Sequence, residues 1–258
     1  VKVRIWWVLA RGVLLESIRR KDLWVVAILG FLIISAAGML GFFGISGLEA
    51  FAKDLAFTVL GAFSTVVAIL TASRMLPEEI RQRTLYPLLA RPISRFDLLM
   101  GKFCGSVLVT WLAFGMLGTL TALALAMFHI RFEVLMLQYV LVKMMGLALI
   151  CSISLALSAF MTPSAAATMG FFLAFGSTMI VRALVLAYQT SSPAMQLLFK
   201  VLNWLVPQYH LFDLGSRAAN VGWPTVPAWV IGFLALYAAV YSSSMLAISW
   251  SKFRKQAV

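Results

Sequence analysis

The sequence predicts an all-α integral membrane protein with six transmembrane helices, an interfacial helix at the N-terminus, and two longer segments outside the membrane. Three observations carry this. Hydrophobic residues make up 62% of the chain and charged residues only 12%, with a mean hydropathy of +0.97, outside the range of soluble domains. The hydrophobic residues gather into runs of about 18–25, each long enough to cross a hydrocarbon core of about 30 Å as a helix. The basic residues are divided unevenly between the loops that join those runs, the usual mark of membrane topology. The net charge of +12 is therefore dealt out between spans and does not form the contiguous basic surface of a nucleic-acid binder. Cys104 and Cys151 both stand in apolar runs, so no disulfide framework is implied. A single transmembrane domain over residues 1–258 is expected, without a soluble domain or an internal repeat.

Residues 2–20, KVRIWWVLARGVLLESIRR, mix Lys2, Arg4, Arg11, Arg19 and Arg20 with Ile5, Val8, Leu9, Val13 and Leu15 at helical spacings, beside the interface-seeking pair Trp6 and Trp7. Residues 1–22 read as an amphipathic helix along the cytoplasmic leaflet, its basic side chains on lipid headgroups; a plain cytoplasmic tail is the blander reading. Spans follow at about 23–46, 55–73, 103–128, 138–161, 165–188 and 228–250. The first is too long and comes too late for a cleavable signal. Six spans place both termini on one side. Fifteen Lys and Arg residues lie in the N-terminal stretch, the 74–102 segment and the tail SKFRKQ. The opposite loops hold four: Lys53, Arg131, Lys200 and Arg217. Both ends are thus expected in the cytoplasm of a multi-pass protein of the cell (inner) membrane. Lys143 and Arg182 fall within spans, near the outer helix ends, where long basic side chains snorkel to the interface.

The turn MTPSAAAT joins spans four and five with almost nothing to spare. The outer segment, 190–227, begins with Ser192 as a helix cap and Pro193 at the first helical position. Gln196, Lys200 and Asn203 make a polar stripe on an otherwise apolar helix that ends before Pro207. It is too short to span, and reads as re-entrant or interfacial.

Between spans two and three stands RMLPEEIRQRTLYPLLARPISRFDLLMGK, residues 74–102, with nine charged side chains. At about 2.5–3.5 kcal/mol each at a helix centre, immersing them would cost roughly 20 kcal/mol or more. The segment therefore stays out of the hydrocarbon. Pro77 suits the first turn of a helix, and Glu78 and Glu79 follow where the helix dipole favours negative charge. Ile80, Thr84 and Leu88, with Leu85 and Leu89, form one apolar stripe, while Arg81 and Arg83 point elsewhere. Arg91 precedes Pro92 and is pushed out of the helical region, which ends the helix. Ser94 then caps a new helix, with Asp97 three residues on in a capping-box arrangement, and that helix runs through Lys102 into the third span. A short amphipathic helix joined rigidly to a spanning helix is a lever suited to carrying force from a cytoplasmic partner.

The stretch EEIRQRTLYPLLARPISRFDLLMGK resembles the region after the second span in permeases of the type-2 ATP-binding-cassette (ABC) transporter family. There an acidic residue, a Thr, a Leu pair, a Pro-Ile-Ser-Arg turn and a Gly-Lys recur in this order. Here they are Glu78 or Glu79, Thr84, Leu88–Leu89, Pro92–Arg95 and Gly101–Lys102. The six-span layout, the N-terminal helix and the outer helical segment extend the resemblance over nearly the whole chain, although only the charged segment is sequence-specific. The resemblance implies a permease subunit of an ABC exporter, in which two permeases, a second copy or a paralogue, pair with two cytoplasmic P-loop ATPase subunits. It implies that residues 74–102 hold the coupling helix, which docks in a groove on the ATPase. The residues so marked are Glu78, Glu79, Arg81, Arg83, Thr84, Leu88, Arg91, Pro92 and Arg95. ATP and Mg would then belong to the partner ATPase, with no cofactor and no metal on this chain. Without the resemblance, the segment reads equally well as a solvated topological loop.

No G-x-x-x-x-G-K-[ST] loop occurs in these 258 residues, so no ATP-phosphate cradle and no enzymatic chemistry is expected on them. Lys102, in MGKFCGS, reads instead as an interfacial anchor. An ATP-independent secondary transporter or channel is the main alternative, but it would favour ionisable residues or broken helices near the midplane, and no clear midplane carboxylate stands there. The pattern GISG, Gly44 to Gly47, superficially resembles the serine motif of rhomboid-type intramembrane proteases. That chemistry needs a His within reach of Ser46, and both histidines, His129 and His210, fall in predicted loops. His210 with Asp213 makes too few ligands for a metal site.

By the same resemblance the translocation route forms between two permeases, lined by spans two and five. Span two carries a small-residue stripe of Gly61, Ser64, Thr65, Ala68 and Ala72. Span five carries Gly170, Ala174 and Ser177, flanked by Phe171, Phe175, Thr178 and Met179. Such stripes also let membrane helices approach closely, which is the competing reading of the same residues. The aromatic flanks fit a hydrophobic or amphipathic substrate better than an ionic one.

Overall fold

The structure is a computed structural model that describes residues 2–19, 48–82, 94–127, 132–190, 192–220 and 222–255, with isolated positions between 24 and 35. The expected first span and residues 83–93 of the charged segment thus lie wholly or largely outside the described residues. In chain order the helices are α1 (Lys2–Arg19), α2 (Leu48–Gln82), α3 (Arg95–Met127), α4 (Val134–Ser158) and α5 (Pro163–Thr190). After these come α6 (Pro193–Leu205), a 3-10 turn (Tyr209–Phe212), α7 (Gly215–Ala219) and α8 (Ala228–Lys255). Among the described residues five helices, α2, α3, α4, α5 and α8, are long and apolar enough to cross a membrane.

The local starts follow from the sequence. Thr162 accepts the Ala166 N–H through its carbonyl, and Pro163 takes the first helical position of α5, where its missing N–H costs nothing. Only residues 159–162 separate α4 from α5. Pro193 opens α6 in the same way, with the Ser192 carbonyl accepting from Met195 and Gln196. At α3, the Asp97 N–H donates to Ser94 Oγ at 3.1 Å and the Ser94 hydroxyl donates to the Asp97 carboxylate. Ser94 therefore caps the helix as its spacing with Asp97 predicts.

Helix α4 is the centre of the bundle: it packs on α2, α3, α5 and α8, and on the 3-10 turn and α7. Of its most apolar stretch 67% is buried within the protein, against 17% for α5 and 22% for α8, whose other faces look outward. The core runs through Leu60, Ile69, Phe114, Leu117, Tyr139 and Ile150.

Three expectations change. Pro77 does not begin a new helix but lies inside α2, which continues to Gln82. A proline cannot donate to the carbonyl four residues back, yet the neighbouring turns hold the helix through that one lost bond. Lys53 is not in a loop: α2 begins at Leu48, and Lys53 is 1% exposed. Lys143 does not snorkel. It stands nine residues into α4, about 14 Å from its start, and is buried against the chain that folds back over that end. Arg182, by contrast, is exposed on α5.

Helix α1 is not separate from the bundle. Trp6 meets Asp97, Leu9 meets Gly101 and Val13 meets Gly105, so the register between α1 and α3 stays nearly constant. Two helices with such a register run side by side in the same direction. The expected interfacial helix is thus laid along the beginning of α3.

Candidate functional site

The charged segment is joined directly to long helices. At 35 and 33 residues, α2 and α3 are about 50 Å long, well beyond a hydrocarbon core of about 30 Å. Glu78, Glu79 and Arg81 extend α2 past its candidate span, which ends at Pro77. Arg83, Thr84, Leu88, Arg91 and Pro92 lie outside the described residues. Arg95 is the exception. Its Nη1 donates to the carbonyls of Phe253 at 3.1 Å and Arg254 at 3.2 Å, and its guanidinium lies 5.9 Å from the Phe253 ring centroid. Those carbonyls lie toward the C-terminal end of α8, where the helix dipole favours a cation. Arg95 thus binds another helix of its own chain.

The same end of α3 holds α1. Trp6 Nε1 donates to Asp97 Oδ1 at 2.9 Å. A Cβ built on Gly101 would come 2.7 Å from Leu9 Cβ, and one on Gly105 would come 2.8 Å from Val13 Cβ. The run Gly101-Lys-Phe-Cys-Gly105 is therefore a small-xxx-small groove that α1 fills. Leu98, Phe253 and Leu9 form one apolar cluster where α3, α8 and α1 meet. The glycine spacing was the sequence signal for this groove, whereas nothing local marked the Arg95 or Trp6 contacts.

At the far end of the spans, remote from the charged segment, the chain after α6 folds back into the bundle. Phe212 is fully buried against Gly146, and Gln138 exchanges two hydrogen bonds with the Val226 backbone, at 2.9 and 2.8 Å. Lys143 Nζ reaches Asp213 Oδ2 at 3.4 Å and lies 5.3 Å from the Tyr209 ring centroid. Tyr209 and Thr65 hydroxyls share a 2.8 Å hydrogen bond, and the Tyr139 hydroxyl donates to the Phe57 carbonyl at 2.9 Å. Asp213 Oδ1 also accepts the Gly215 N–H. Sequence reasoning missed this cluster; a lysine inside an apolar span was the one hint that a partner had to exist. Burial, and then the charge of Arg182, lower the pKa of His210. Among the described residues no group of three or more His, Cys, Asp and Glu could hold a metal ion, and Ser46 and His129 lie outside them.

The residues marked for the route divide into two sets. Ser64, Thr65 and Ser177 are buried, and their hydroxyls donate to the carbonyls of Leu60, Gly61 and Ala174. Gly170 presses on Ile69 and Ser154. The small stripe therefore packs α5 onto the bundle. Phe175 and Met179 face outward, at 52% and 69% exposure, with Phe171 stacked on Phe175 at 6.2 Å and Thr178 half-buried.

Long apolar helices packed around α4, with a charged segment continuous with two of them, define a multi-pass membrane component. The family model described as ABC-2 family transporter protein matches residues 7–257, and the chain belongs to that family. It is the permease, the transmembrane subunit, of an ABC transporter. A comparison with curated proteins returned no match.

Proposed function

We propose that the chain is the permease of an ATP-driven exporter of the cell membrane, with both termini cytoplasmic. It carries a hydrophobic or amphipathic substrate with energy from separate cytoplasmic P-loop ATPase subunits, on which ATP and Mg remain. One observation carries this reading: the charged segment continues at each end, without a break, into a helix of spanning length, α2 to Gln82 and α3 from Arg95. A segment so joined moves two spans when it is pushed.

In this reading the closing ATPases press on Glu78, Glu79, Arg81, Arg83, Thr84, Leu88, Arg91 and Pro92. The push tilts α2 and α3 and alternates access to a route between two permeases, identical or paralogous. Outward-facing Phe175 and Met179, with half-buried Phe171 and Thr178 beside them, line that route and favour apolar cargo. Ser64, Thr65 and Ser177 lie beneath it and keep α2 and α5 moving with their neighbours. Family membership, the fifteen-to-four basic bias and the unbroken helices support the scheme. The test is a Glu79→Gln, Arg83→Gln double variant in the reconstituted complex. ATP hydrolysis should continue while transport of a fluorescent amphiphile stops and the spans stay folded. Normal transport by that variant would reduce the segment to a topological loop.

A further inference from the structure

We infer that Arg95 is a positioning residue that ties the C-terminal helix α8 to the exit of the charged segment, so that the segment drives α1 and α8 as well as α2 and α3. The inference rests on the coupling reading above but departs from it at one residue. A residue docked on an ATPase would present its guanidinium away from its own fold. Arg95 instead spends one nitrogen on two backbone carbonyls at the end of α8, with its charge beside the Phe253 ring.

Three further contacts make the junction a unit. Phe96 meets Trp250 edge to face at 6.3 Å, so the residue after Arg95 also grips α8. Leu98 and Phe253, each 1% exposed, close on Leu9 of α1. Asp97 holds Trp6 while it caps α3 with Ser94. Four successive residues of α3, Arg95 to Leu98, thus reach both the first and the last helix of the chain. The buried Leu98–Phe253 contact keeps the helices from sliding past one another independently, because close-packed interfaces have few low-energy arrangements. A push delivered at residue 94 therefore arrives at α1, α3 and α8 together.

The roles of charge and shape separate by substitution. Arg95→Gln removes the cation from the end of the α8 dipole, while Arg95→Lys keeps a cation able to reach one of the carbonyls. Phe253→Ala weakens the same joint from the α8 side without touching α3.

The test uses the complete complex with its ATPase, reconstituted in liposomes, in a Cys104→Ser, Cys151→Ala background. Spin labels at Ser251→Cys on α8 and Arg11→Cys on α1 report the junction, and each is also paired with Leu137→Cys on an exposed position of α4, outside the junction. In the parent, trapping with ATP and vanadate should move both reporters relative to the Leu137 label while their mutual distance stays fixed. In Arg95→Gln and in Phe253→Ala the displacement of α8 should be lost, that of α1 kept, and Arg95→Lys should restore it. An α8 label that still moves in Arg95→Gln, or a junction that opens in the parent on trapping, overturns the inference and leaves the coupling reading standing. A parent complex in which no label responds to nucleotide overturns both.

Discussion

Lys143 Nζ lies 3.4 Å from Asp213 Oδ2, and the two side chains are 3% and 55% exposed: the cation is sealed inside the bundle and the anion sits at its edge. The pair joins the middle of a spanning sequence to a loop seventy residues on. Such a pair holds the fold-back segment in register, because the ammonium has lost its water and the carboxylate is its charged partner.

The two partners should therefore respond unequally to removal. Asp213→Asn leaves a buried ammonium without its counter-charge, which should destabilise the protein, though by less than the about 3–5 kcal/mol of a fully enclosed pair, since Asp213 is half exposed. Lys143→Met fills the same space with an apolar side chain and should cost little. Thermal unfolding in detergent, followed by the reaction of a thiol dye with fully buried Cys151, measures both. Equal losses would contradict the account.

The α1 groove gives a contrast within one helix. At Gly105 an added Cβ would sit 2.8 Å from Val13 Cβ, whereas at Gly118 nothing lies within 4 Å. Gly105→Ala should destabilise the protein by about 1–3 kcal/mol through overpacking. Gly118→Ala should be neutral or stabilise it by about 0.5–1 kcal/mol, from the backbone entropy glycine loses in a helix. Only the first should expose α1 to trypsin at Arg11 and Arg19.

His210 makes stability depend on pH in a definite direction. Its Nδ1 is buried without a hydrogen-bond partner among the described residues, and burial, followed by the Arg182 charge, lowers its pKa. The unfolded chain then takes up its proton first, near the ordinary value of about 6.5. Stability is full above that value and falls as the pH drops through it toward the lower folded pKa. His210→Gln should flatten the unfolding midpoint between neutral and mildly acid pH. A midpoint that rises on acidification would contradict the assignment.

What the sequence revealed and what it hid divide along physical lines. Apolar runs, Ser94 with Asp97, and Pro193 at the first position of its helix are local signals, and each stands where its chemistry places it. Pro77 misled because a proline reads as a helix start, while the continuation of α2 depends on buried Ala68, Ile69, Ala72 and Leu76 packing against other helices. The contacts of Lys143 with Asp213 and of Arg95 with α8 were hidden for one reason: the partners are distant in sequence, so no local pattern marks them. The small stripes of α2 and α5 were legible as a pattern. Within one protomer Ser64, Thr65 and Ser177 are buried, with hydroxyls bonded to their own helices.

The central claim is that residues 74–102 receive force from a separate ATPase, and it is tested most directly by purifying the protein from its native membrane in mild detergent and identifying what accompanies it in fixed ratio. The account predicts a P-loop ATPase that is lost when Arg81 and Arg83 are both replaced by Gln, with the spans still folded. A protein that purifies without such an ATPase across several detergents, or an ATPase that stays bound to the double variant, would contradict it.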